Sequence, residues 1–137
     1  MLPQALILAS TAIVLMLGTI HLVYTFTSNK FSPREPQLEQ RMREVSPVIS
    51  RQTTMWAAWV GFNASHSLGA MLFGLVYGYL ASFHLPFLLK SGFLLALGAL
   101  FLLSFLVLAK RYWFRIPFLG IALSLALYVA GFIAAWI

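Results

Sequence analysis

Hydrophobic positions run through most of this chain in long blocks, and the polar positions fall between the blocks. A membrane-crossing helix needs roughly 20 mostly apolar residues, because the hydrocarbon core is about 30 Å thick. Four stretches meet that need: about 5–27, 54–82, 86–109 and 114–137. The pattern predicts an all-α membrane protein, a single four-span transmembrane domain over residues 1–137. The connections after the second and third spans are very short, so neighbouring spans lie antiparallel, as in a four-helix bundle. The first span has no basic segment before it and no small-residue cleavage site, so it reads as a retained span and not as a signal peptide.

Residues 28–53 form the one long loop. Within it, SPREPQLEQRMREVSP predicts a short amphipathic helix between Pro36 and Pro47. Leu38, Met42, Val45 and Ile49 keep to one side, and Glu39 and Arg43 make an i,i+4 pair. Such a helix either lies on the bilayer surface among anionic headgroups or acts as a lid over a cavity.

One block is interrupted. GFNASHSLGA, residues 61–70, brings Asn63, Ser65, His66 and Ser67 into the second span. Polar groups inside a bilayer are costly and face the bundle interior or a cavity. Helical spacing supplies their partners. In span one, Thr11, Val14, Gly18, His21 and Thr25 form one stripe, and in span two Trp59, Asn63, His66, Ala70 and Tyr77 share a face. Two rows of small residues run beside them, Gly61–Ser65–Gly69 and Ala70–Gly74–Gly78–Ser82. Small-xxx-small rows let backbones approach closely in lipid, so span two is expected at the centre of the bundle with both rows packed. Span four carries a lesser stripe of Gly120, Ser124, Leu127, Gly131 and Ala135. Span three is nearly all Leu, Phe and Ala and is expected to face lipid or a partner subunit.

Composition supports the membrane reading. The chain is 61% hydrophobic and 9% charged, whereas a soluble domain averages about 25% charged residues. There is no cysteine, which excludes disulfides, thiolate metal sites and a Cys nucleophile. The only acids are Glu35, Glu39 and Glu44, close enough together to meet a cation, but the neighbouring arginines pair with them more readily, and no metal site is expected. The net charge of +6 is set by placement. Lys30, Arg34, Arg41, Arg43 and Arg51 lie in the first loop and Lys110, Arg111 and Arg115 in the third, with Lys90 alone near the second. By the positive-inside rule, loops one and three are cytoplasmic and both termini outside. The charge is then a topology signal, not a nucleic-acid surface.

The candidate chemistry centres on His21 and His66. His21 lies about six residues before the end of its span and His66 about twelve after the start of the next. At about 1.5 Å per residue the depths differ by roughly 9 Å, so the imidazoles either face each other or lie one to two turns apart. Either they hydrogen-bond within the bundle, with Asn63 as neighbour, or they bind a flat cofactor such as haem, for which paired axial His ligands are a known mode. With Thr25, Asn63, Arg51 and Trp56 near the cytoplasmic end, a pocket between spans one and two would suit a haem-type or lipid-like ligand. No carboxylate lies in a span, which argues against a proton relay and a hydrolase. His84, beside Pro86, reads as an interfacial residue.

The stretches GTIHLVYTF (18–26), KFSPR (30–34), SPVISRQTTMWAAWVGFNASHSLGA (46–70) and GLVYGYL (74–80) together resemble a family of small, uncharacterised bacterial four-span integral membrane proteins. The resemblance covers roughly the first 80 residues and places His21, Arg51, Trp56, Asn63 and His66 in the family fingerprint. It implies the four-span topology and a bacterial inner-membrane location, and no activity. The chain shares its size and long first loop with four-span eicosanoid and glutathione-type membrane enzymes, but lacks their arginine- and glutamate-rich span-two signature. The expected function is a non-catalytic accessory or structural subunit, with other membrane subunits or copies of itself as partners. The alternative is the ligand- or cofactor-binding protein with its pocket around His21 and His66.

Overall fold

The computed structural model describes residues 1–137 and is all-helical: α1 (Leu2–Thr27), α2 (Pro36–Glu44), α3 (Met55–Phe83), α4 (Leu85–Lys90), α5 (Gly92–Tyr112) and α6 (Arg115–Ile133). Four of these, α1, α3, α5 and α6, are long and apolar enough to cross a membrane. The first two match the expected spans closely, and the fourth ends slightly earlier than expected. The third is shorter at its start. The apolar block from Pro86 onward is broken at Ser91, which is extended (φ −88°, ψ 92°) and whose hydroxyl caps α5 by accepting from the backbone N–H of Leu94. Ser at an N-cap satisfies an amide that the first turn leaves free. Hydropathy does not register the break, because residues 85–89 are as apolar as the first turns of α5.

The chain packs as two compact units, Met1–Leu17 with Ala70–Ile137, and Gly18–Gly69. The first unit is a four-helix bundle. Gln4 of α1 donates to the carbonyl of Ala81 of α3 (3.0 Å), and Gly74 lies against Leu15 and Thr11, which sets α1 antiparallel to α3. Ser10 donates to the carbonyl of Ser124 on α6 (2.8 Å) and Ser124 donates back to the carbonyl of Ser10 (3.0 Å). Ile7 meets Gly131 and Leu17 meets Gly120, so α1 is antiparallel to α6 as well. Tyr77 of α3 donates to the carbonyl of Leu94 (2.6 Å) and Tyr128 of α6 to that of Leu95 (3.3 Å), which joins both helices to α5. The core is Ile7, Val14, Phe73, Tyr77, Leu102, Ile121 and Tyr128, with Phe73 stacked on Phe101 at 4.6 Å and 3°. Lipid tails are as apolar as Leu, so close backbone packing and interhelical hydrogen bonds such as these must hold the helices together.

One expectation needs correction here. Of the two small-residue rows on α3, only the second packs within the bundle. A Cβ on Gly74 would lie 2.7 Å from the Leu15 Cβ and 3.0 Å from the Thr11 carbonyl oxygen, whereas one on Gly61 or Gly69 meets nothing within 4 Å. Equal spacing on one helix does not decide which row has a helix opposite it. Span three behaves as expected: α5 buries only Gly98, Leu102 and Ala109 and exposes Phe93, Leu97, Leu100, Leu103 and Val107.

The second unit holds the end of α1, the long loop with α2, and the start of α3. α2 ends at Glu44 because Val45 turns extended, and the Val45 carbonyl accepts from the Met55 N–H at 2.8 Å. The Glu39–Arg43 pair forms at 2.7 Å, joined by Arg41–Glu44 at 3.1 Å. Ile49, expected on the apolar side of the helix, lies outside it and is exposed. The guanidinium of Arg43 stands 4.4 Å from the ring centroid of Trp56, fastening α2 to the first turn of α3.

Candidate functional site

The polar cluster forms within the second unit, from the last turns of α1 and the first half of α3. His21 and Asn63 are joined by a 2.9 Å hydrogen bond between the imidazole Nε2 and the amide Oδ1. The orientation of the amide follows from its other end: Nδ2 donates to the carbonyl of Trp59, one turn back, at 2.8 Å. An amide nitrogen only donates, so Oδ1 is the acceptor and the Nε2 of His21 carries the proton in this pair. The hydroxyl of Ser67 donates to the Asn63 carbonyl (2.9 Å), and that of Thr25 to the His21 carbonyl (2.8 Å).

His66 lies against this pair. The rings of His21 and His66 have centroids 5.4 Å apart and planes at 66°, an edge-to-face contact. The two histidines therefore meet, the closer of the two placements that helix geometry allowed. Phe31 also lies against the His21 ring, at 4.3 Å and 31°. Phe31 is held in turn by its own backbone, since its carbonyl accepts from the indole N–H of Trp59 at 3.0 Å. Within the cluster, Asn63 and Ser67 are buried, and His21, Thr25 and His66 half-buried.

Below the cluster a recess of about 30 Å³ is lined by Thr25, Ser28, Phe31, Ser32, Trp56, Trp59, Val60 and Asn63. The structure thus brings together five of the six candidate residues: His21, Asn63 and His66 in the cluster, with Thr25 and Trp56 at the recess. Arg51 is exposed in the loop and stands outside the residues that line it. Phe31 is the participant that spacing did not single out, whereas Trp59 stands on the face that spacing assigned to Asn63 and His66. Phe31 sits in an irregular segment, where no helical period assigns a face. A hydrophobic residue isolated among Lys30, Ser32 and Pro33 is the only sequence signal for it.

Chemically the cluster is closed. Every buried side-chain nitrogen and oxygen of the protein has a hydrogen-bond partner, and the imidazoles touch each other, leaving no plane between them for a macrocycle. The recess has room for a water, which needs about 10–15 Å³ of such volume, and not for an organic ligand, whose pockets run to about 300 Å³ or more. Comparison with known protein families, with curated proteins and with solved structures gives no match for this chain.

Proposed function

We propose that this chain is a small integral membrane protein acting as a non-catalytic accessory or structural subunit that associates with other membrane subunits or with copies of itself. The observation that carries this reading is the closure of the polar cluster. His21, Asn63, Ser67 and Thr25 satisfy one another and the backbone, so His21 needs no cofactor to account for it, and His66 packs edge-to-face on the His21 ring. Association is supported by the Gly61–Ser65–Gly69 row, which is open along α3, and by the broad apolar face of α5. Small residues on an open face allow a second helix to approach closely in lipid.

We place the protein in a bacterial inner membrane with both termini outside and loops one and three cytoplasmic. The charge asymmetry supports the orientation, and the four long apolar helices support the membrane location. The test of association is the mass of the purified protein in mild detergent, with crosslinking in the native membrane. An assembly larger than one chain, or a crosslinked partner, is expected. An isolated monomer with no crosslinked partner overturns the reading. A haem-type or lipid-like ligand held by His21 and His66 is the competing function. After expression with ample haem the purified protein is expected to lack a haem absorption band, and a band abolished by His66→Ala would establish the competing function instead.

A further inference from the structure

The turn between α5 and α6 carries a second feature of different chemistry. α5 ends at Tyr112, Trp113 and Phe114 are extended, and α6 begins at Arg115. Between the two helix ends lies a shallow, open groove of about 310 Å³ lined by Ala109, Lys110, Trp113, Phe114, Arg115 and Phe118. Its walls are aromatic and its two charged groups are both cations, one from each helix. Arg111 adds a third exposed cation one residue from the groove.

These cations have no acid to answer them. The only carboxylate side chains in the chain are Glu35, Glu39 and Glu44, all in the Gly18–Gly69 unit. Both ion pairs of the protein join residues of α2. Lys110 and Arg111 lie in the last turn of α5, where the helix dipole favours a cation. Arg115 lies in the first turn of α6, where the dipole disfavours one. Phe114 supplies no side-chain cap to that turn. An anion in the groove would offset the charge of Lys110 and Arg115 together and remove the penalty at Arg115. Phe114, which is 64% exposed, and Tyr112, which is 72% exposed, are aromatic residues of the kind that stand at headgroup level, so the anion within reach belongs to a lipid.

We propose that the groove between Lys110, Trp113, Arg115 and Phe118 is a binding site for the phosphate headgroup of an anionic phospholipid. The two cations contact the phosphate from opposite helices, the aromatic side chains flank it in the open groove, and the acyl chains follow the exposed apolar side chains of α5 and α6. Basic pockets between membrane helices are the usual place for such headgroups. This site shares no residue with the polar cluster, and it stands whether or not the chain is an accessory subunit.

The test is native mass spectrometry of the full-length protein released from nanodiscs, comparing phosphatidylcholine with phosphatidylglycerol. The expected result is that the wild type retains phosphatidylglycerol in preference to phosphatidylcholine. Lys110→Gln with Arg115→Gln should weaken that retention by about 30-fold, since each cation near a lipid phosphate is worth roughly a factor of five. Lys30→Gln with Arg41→Gln removes the same charge from the first loop and should leave retention unchanged. Circular dichroism checks that both double variants keep their helix, and Arg115→Lys, which keeps the charge, should retain most of the binding. Equal retention of the two lipids overturns the proposal. So does an equal loss in the first-loop variant, which would mean a diffuse charge effect, or displacement of the lipid by inorganic phosphate alone at matched concentration, which would mean a site for a soluble anion.

Discussion

Truncating Asn63 to Ala removes two hydrogen bonds at once, because its oxygen serves His21 and its nitrogen serves the Trp59 carbonyl. Only the bond to His21 joins two helices, and such bonds in membrane proteins contribute about 0.6 to 1.7 kcal/mol. Asn63→Ala should therefore cost about 1 to 2 kcal/mol in thermal or denaturant unfolding in detergent, while Ser65→Ala, at an exposed position, should stay within about 0.5 kcal/mol. Equal stability of the two variants would sink the network as described. Glycines give a second contrast. A Cβ on Gly98 would stand 2.7 Å from the Tyr128 ring carbon Cζ and 2.8 Å from a Tyr77 ring carbon, so Gly98→Ala should cost about 1 to 3 kcal/mol by overpacking. Gly69→Ala meets nothing within 4 Å and should be neutral or stabilising by up to about 1 kcal/mol, since Ala is the better helix former. A destabilised Gly69→Ala would mean that this row is already packed against a partner. Which glycines touch a neighbour was not legible in the sequence, because both rows repeat every fourth residue on the same helix. That Asn63 faces inward was legible, because an amide in a lipid-bound helix has few other places to go.

At the scale of elements, α2 is held to the start of α3 through one side chain. Arg43 bonds the Glu39 carboxylate and lies over the Trp56 ring. Its guanidinium, helped by the Ser32 hydroxyl, holds the Glu39 carboxyl below its ordinary pKa. A carboxyl with a lowered folded-state pKa adds stability above its unfolded value, and that stability is lost as pH falls through the lowered value. Acidification below the usual carboxylate range should therefore release Arg43 from the pair and change the fluorescence of Trp56, measured with the other tryptophans replaced by Phe. Glu39→Gln should abolish that pH dependence. A transition that persists in Glu39→Gln would assign it to another group. The helix itself was legible from Pro36, the i,i+4 pair and the apolar positions. Its end at Glu44 was not, because it depends on the Val45 carbonyl finding the Met55 N–H across ten residues of chain. The split between α4 and α5 was hidden for the opposite reason. There the deciding residue, Ser91, follows a single Lys90 between two strongly apolar stretches, and its capping bond to Leu94 distinguishes it from the serines inside the helices.

For the whole molecule, the bundle was the most legible part, since four apolar blocks, the last three joined by short connections, leave few arrangements open. The order of neighbours around the first unit follows from particular pairs, Ser10 with Ser124 and Tyr77 with the Leu94 carbonyl, and hydropathy carries no trace of these. Orientation is open to a clean measurement because the chain has no cysteine of its own. A cysteine at Ser46 in the first loop should react with a membrane-impermeant maleimide only from the cytoplasmic side, and one at His84 only from the opposite side. The reversed pattern would invert the topology, and labelling from a single side would contradict four crossings.

The helices also differ in reach. α5 and α6, with 21 and 19 residues, extend about 32 and 28 Å at 1.5 Å per residue, close to the thickness of an ordinary hydrocarbon core. α1 and α3, with 26 and 29 residues, extend about 39 and 43 Å. A thicker bilayer therefore leaves α1 and α3 long enough to cross it and makes the ends of α5 and α6 too short, which costs a fraction of a kcal/mol per ångström of mismatch. Lipid acyl-chain length thus acts selectively on one pair of helices, and the membrane's thickness becomes a variable to which this chain responds.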